Sequence, residues 1–138
     1  MIGVLIVTHG ALADELLSAA RTIAGELPNF RALSLDWQVG LEEARDRIAD
    51  AVAGLDTGAG VLILTDMYGD TPSNAAFSLA RAGGIEVVTG VNLPMAVRLG
   101  CTQTESLDLH ALARAIELRG RRSICRAEVG RPEPGRDG

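Results

Sequence analysis

Ile2-Gly3-Val4-Leu5-Ile6-Val7-Thr8-His9-Gly10 decides the fold of this chain. Residues 2–7 form an unbroken apolar run, whereas a strand with one solvated face would alternate apolar and polar positions. The run therefore reads as a strand buried on both faces, as in a parallel sheet. It ends in a hydroxyl, an imidazole and a glycine. From residue 11 to residue 24 the spacing becomes helical, with Leu12, Leu16, Ala20 and Ile23 at intervals of three or four. A buried strand feeding a helix is the first half of a strand–helix–strand unit.

The alternation continues downstream. Pro28-Asn29 makes a turn, and residues 31–35 read as a second strand. Leu41, Ala44, Ile48, Val52 and Leu55 share one face of a helix over residues 40–55, which Gly58-Ala59-Gly60 ends. Residues 61–64 predict a third buried strand, followed by the polar segment Thr65-Asp66-Met67-Tyr68-Gly69-Asp70-Thr71-Pro72. A helix over 73–81 stops at Gly83-Gly84, and residues 85–88 predict a fourth strand. The loop 89–94 leads to a short helix over 94–99. Ser106 is the expected N-cap of a last helix over 107–119. Residues 123–128 offer one more short strand. The order βαβαβαβα specifies an α/β three-layer sandwich: a mostly parallel central sheet with helices on both faces. One domain is expected over residues 1–125, and a flexible tail over 126–138.

Composition narrows the function. The chain has 138 residues, long enough for one domain with a full core, and aromatics are only 3%, so that core is aliphatic and base-stacking platforms are excluded. All 13 basic residues are arginine, which removes Schiff-base chemistry and a phosphate-loop lysine together. Residues 1–118 hold 7 Arg against 15 acids, so the body is acidic and ill suited to nucleic acid. Residues 119–138 hold 6 Arg against 3 acids and read as a solvated basic tail. Cys101 and Cys125 sit in no metal-ligand spacing and are expected as a reduced pair. The first residues lack the basic start of a signal peptide, and no apolar run approaches the ~20 residues of a membrane helix. A cytoplasmic location is the expectation.

In open α/β sheets, ligands bind beyond the carboxyl ends of the strands. His9 follows the first strand there, Asp66 the third and Asn92 the fourth. His9 serves neither packing nor turn chemistry, and Gly10 lets the backbone turn tightly beside it. A neutral imidazole can act as nucleophile or base. His110, by contrast, lies just off the apolar stripe of the last helix and reads as a surface residue. Thr71-Pro72 is a helix start, with Thr71 expected as N-cap, and such a start presents free N–H groups to an anion. A phosphoryl group beside His9 fits this combination. A metal held by His9, Asp66 and a third ligand, Asp70 or Asn92, is the rival, without His or Cys spacing to support it. A serine hydrolase lacks its G-x-S-x-G elbow and a dinucleotide site its G-x-G-x-x-G.

Three segments carry a family resemblance: Val7-Thr8-His9-Gly10, Thr65-Asp66-Met67-Tyr68-Gly69-Asp70-Thr71-Pro72-Ser73-Asn74 and Thr89-Gly90-Val91-Asn92-Leu93-Pro94-Met95. In order and spacing the chain resembles the mannose-family IIA component of the bacterial phosphoenolpyruvate-dependent sugar phosphotransferase system. The resemblance implies strand order 2-1-3-4 and a phosphotransferase that works through a phosphohistidine on His9. The donor would be phospho-HPr and the acceptor a IIB component, with the membrane reached only through a IIC/IID permease. Asp66 would be the carboxylate beside the imidazole and Thr71 a hydroxyl close to the phosphoryl group. Gly10, Gly69, Asp70, Ser73 and Asn92 would surround the phosphate. Neither a metal nor a cofactor is implied. A homodimer exchanging the strand at 123–128 is also implied. One departure stands out: the family segment usually reads Gly-Gly before the Ser/Thr-Pro pair, and here it is Gly69-Asp70. Asp tolerates left-handed backbone and adds negative charge near an incoming phosphate. A regulatory module, whose phosphorylation state is read by a partner without a dedicated permease, is the second function class.

Overall fold

A computed structural model describes residues 1–102 and 107–130. Strand β1 (Gly3–His9) pairs in parallel with β2 (Phe30–Leu35) on one side and with β3 (Val61–Thr65) on the other, and β4 (Ile85–Thr89) pairs in parallel with β3. The sheet order is β2-β1-β3-β4, as expected. Helices α1 (Leu12–Ala24), α2 (Leu41–Leu55), α3 (Thr71–Ala80), α4 (Leu93–Cys101) and α5 (Leu109–Arg122) complete the chain.

The unbroken apolar runs are explained by two cores, one on each face of the sheet. Successive strand residues point to opposite faces. Val4, Ile6, Leu62 and Leu64 therefore pack with α1, α4 and α5 through Leu17, Leu99, Leu112 and Ile116. Leu5, Val7, Val61 and Ile63 pack with α2 and α3 through Ala44, Ile48, Ala75 and Ala76. Small alanines let α2 and α3 lie close to the sheet. Each fully buried Leu or Ile contributes about 1.5–3 kcal/mol, so the central pair β1 and β3 anchors both layers and fixes the rim where they end.

The ends of the elements depart from the sequence reading in three places. The N-cap of α3 is Asp70, not Thr71: its side chain accepts the Ser73 N–H, and Thr71 is already helical. The last helix begins at Leu109, capped by Asp108 through the Ala111 N–H, while Ser106 lies outside the described residues. That helix also continues to Arg122, three residues further than its apolar spacing reaches. The strand expected at 123–128 does not form within the chain: residues 124–128 are irregular and exposed. Leaving the end of α5, the segment does not pair with the open edge of β4. Of the expected tail, residues 131–138 lie outside the described ones.

Candidate functional site

The site lies where β1 and β3 end. Val7 is the register partner of Thr65, so the next residue of β3, Asp66, stands beside the end of β1. The Asp66 Oδ2 accepts the backbone N–H of His9 at 3.0 Å, and Oδ1 accepts the N–H of Met67 at 3.0 Å. These bonds aim the carboxylate at the imidazole, whose Nδ1 lies 3.5 Å from Oδ2. Gly10, at φ +57, turns the chain away in a conformation that favours glycine, and its N–H returns to the Leu35 carbonyl at 2.8 Å. The buried Thr8 hydroxyl accepts the Ala13 N–H at 2.7 Å and ties the start of α1 to the strand end, a cap that Ala11 does not supply.

A second carboxylate completes the setting. Asp70 Oδ2 lies 3.3 Å from the same Nδ1 while Oδ1 holds the Ser73 N–H at 2.9 Å. The backbone of Asp70 is extended; the left-handed residue is Gly69, at φ +87. Asp70 is thus retained as a cap rather than for backbone tolerance. Ser73, buried under the turn, accepts the Gly69 N–H with its hydroxyl at 3.0 Å and donates that hydroxyl to the Asp70 carbonyl at 3.1 Å. Two N–H groups expected to be open to an anion, those of Gly69 and Ser73, are therefore already satisfied from within the chain.

The two carboxyls divide their protonation. For Asp66, burial pushes upward, but the neighbouring Asp70 carboxyl and the His9 N–H outweigh it, and the carboxyl lies below its ordinary range. For Asp70, burial and the neighbouring Asp66 both push upward, and the carboxyl is held above that range. Two carboxyl oxygens within 3.5 Å of Nδ1 favour the tautomer with the proton on that nitrogen. Nε2 has no hydrogen-bond partner among the described residues.

Thr71 opens α3 directly after Asp70, half-buried at the same rim. Asn92 is not brought to His9. Its Oδ1 caps α4 through the Met95 N–H, and its Nδ2 reaches the Gly120 carbonyl and the Ser123 hydroxyl, so it joins α4 to the end of α5. His110 is on the surface as expected, 2.9 Å from Glu86. His9, Asp66 and Asp70 do form the one group of three possible metal ligands among the described residues. Three of their four carboxyl oxygens serve the His9, Met67 and Ser73 N–H groups, and the fourth, Asp70 Oδ2, faces Nδ1 of His9.

The sequence reading missed Trp37. Its indole lies flat on the His9 imidazole, with ring centroids 4.5 Å apart and planes 2° from parallel. The signal was present: strand order 2-1-3-4 places the residues after β2 beside the end of β1, and the chain has a single Trp.

The fold and this rim define a phosphotransferase-system IIA component. The model of the EIIA-man family, described as "PTS system fructose IIA component", matches residues 3–117, and the chain belongs to that family. It is 34% identical over 93 residues to the sorbose-specific EIIA component of Lacticaseibacillus casei, covering 67% of each chain. It is 36% identical over 97 residues to the mannose-specific EIIAB component of Escherichia coli K12, covering 70% of this chain but 30% of that longer protein. The mannose/sorbose-specific IIA subunit from Enterococcus faecalis superposes with a TM-score of 0.85 at 25% identity, over 97% of this chain and 98% of that one. Family membership supports a phosphotransfer role in the phosphotransferase system. No helix among the described residues is long and apolar enough to cross a membrane.

Proposed function

We propose that this chain is a phosphocarrier in which His9 accepts a phosphoryl group from phospho-HPr on Nε2 and passes it to a IIB component. The observation that carries this reading is the placement of Nδ1 within 3.5 Å of Asp66 and 3.3 Å of Asp70. Held as N–H by acceptors, Nδ1 leaves the Nε2 lone pair free to attack phosphorus. The P–N bond to Nε2 forms as the P–N bond of the donor histidine breaks, and the donor ring leaves with its electron pair. The positive charge that grows on the His9 ring is offset by Asp66, the carboxyl held below its ordinary range. Thr71 supplies a hydroxyl at the rim. Such transfer between two histidines is mostly positioning and charge stabilisation, so the reading needs neither metal nor cofactor.

Incubation with phosphoenolpyruvate, enzyme I and HPr should load one acid-labile phosphate on the chain, and a IIB component should then unload it. A chain that takes no phosphate from phospho-HPr contradicts the proposal.

The reading extends to a homodimer. The outer edge of β4 carries no strand among the described residues, and an open edge invites another chain. Residues 124–128 leave α5 beside that edge, where Ile124, 80% exposed, lines a groove with Val87, Val88 and Thr89. Exchange of this segment between two copies would cover both edges in one closed two-fold assembly.

A further inference from the structure

We propose that Trp37 is a positioning residue for the phosphoryl acceptor: its indole braces the His9 ring from one face and favours the charged ring that transfer creates. This rests on the reading of His9 as the acceptor.

The stacking is close and parallel, 4.5 Å between centroids and 2° between planes. Yet Trp37 is 75% exposed, so burial of its own surface does not explain its place. Here the neighbouring backbone makes room for it: a Cβ on Gly10 would stand 3.3 Å from the indole Nε1. The two carboxylates fix only one edge of the imidazole, at Nδ1. They leave the ring free to tilt about that edge, and with it the direction of Nε2. A flat indole on the ring face removes that freedom. The same face is negative in quadrupole and attracts a cation, so it favours imidazolium or phosphoimidazolium over the neutral ring. The side chain of His9 is only 11% exposed, and the indole supplies part of its cover.

Because Trp37 is the only tryptophan, its fluorescence isolates this contact. The charged groups facing His9 are Asp66 and Asp70, and Asp36 and Glu43 line a cleft with the indole. Asp70 is itself held above the ordinary carboxyl range, so loss of the step in H9A, not its position, assigns a change between about pH 5.5 and 8 to the imidazole. Emission should fall as His9 takes a proton, and the step should vanish in H9A. Ring-nitrogen NMR of His9 should show its titration moved to lower pH in W37A and restored in W37F. Phosphate uptake from phospho-HPr should slow about three- to tenfold in W37A and recover most of its rate in W37F. Emission flat across that pH window, or a W37A protein with unchanged titration and unchanged rate, overturns the proposal. The titration needs no phosphoryl donor, so a wild-type chain that shows the step but takes no phosphate would sink the phosphocarrier reading instead.

Discussion

Asp70 places one carboxylate oxygen on the Ser73 N–H at 2.9 Å and the other 3.3 Å from Nδ1 of His9. One side chain thus both starts α3 and adds a second negative group to the ring that Asp66 already serves. The N–H it holds is one that the start of α3 would otherwise offer to an incoming phosphoryl oxygen. Capping and catalysis compete for the same donor.

Asp70→Asn separates the two roles, since Asn keeps a capping oxygen and loses the charge. Because the folded carboxyl is held above its ordinary value, its stabilising contribution is present below the unfolded value of 3.8 and lost as pH rises through the folded one. Asn escapes that loss. The variant should melt above the wild type at pH 7, and the gap should close as pH falls below the unfolded value. It should also take phosphate faster, as should Asp70→Gly, most clearly at low salt where repulsion is least screened. Equal melting at pH 7 and equal rates at low salt would show that the charge is without consequence.

Asp66→Asn tests the charge that stays. The amide oxygen keeps the His9 N–H and the NH2 turns to the Met67 N–H, an exposed donor that water can serve, so the fold should persist with an unchanged circular dichroism spectrum. It does not balance a growing positive charge, and transfer should slow by about 10²-fold. A rate within twofold of wild type would remove Asp66 from the chemistry.

Thr8→Val tests the frame rather than the chemistry. The hydroxyl is fully buried and accepts the Ala13 N–H at 2.7 Å. Its loss leaves that donor unpaired at the start of α1, at a cost of about 1–2 kcal/mol in urea unfolding. No change in midpoint would mean that another acceptor reaches Ala13.

The assembly has its own test. Because α5 runs to Arg122 and Ser123 bonds back to the Gly120 carbonyl, truncation belongs after Ser123 rather than within the helix. The shortened chain should sediment as a monomer where the full chain is a dimer at micromolar concentration. A full-length monomer would refute the exchange.

The central strands were legible because the apolar runs of β1 and β3 are buried by helices on both faces, whereas the strand order came with the family resemblance. His9 and Asp66 were legible for the same reason: a polar residue ending such a run has no place in the core. Cap identity was not. Thr71 and Asp70 are both good N-caps, and only the fold shows which carries the non-helical backbone. Asn92 ends a strand as His9 does, yet its hydrogen bonds go to α4 and α5, partners 3 and 28–31 residues away that no local pattern names. Trp37 stayed hidden because its contact with His9 crosses between strands, so it shows only once the strand order sets the end of β2 beside the end of β1.

The central claim is that Nε2 of His9 takes the phosphoryl group, and the most direct measurement is phosphohistidine NMR on the ¹⁵N-histidine-labelled chain after incubation with phosphoenolpyruvate, enzyme I and HPr. The account predicts one phosphorus–nitrogen coupling, at Nε2 of His9, absent in H9A while that variant keeps its fold. A phosphate on His110, on Nδ1 of His9, or still present in H9A would contradict it.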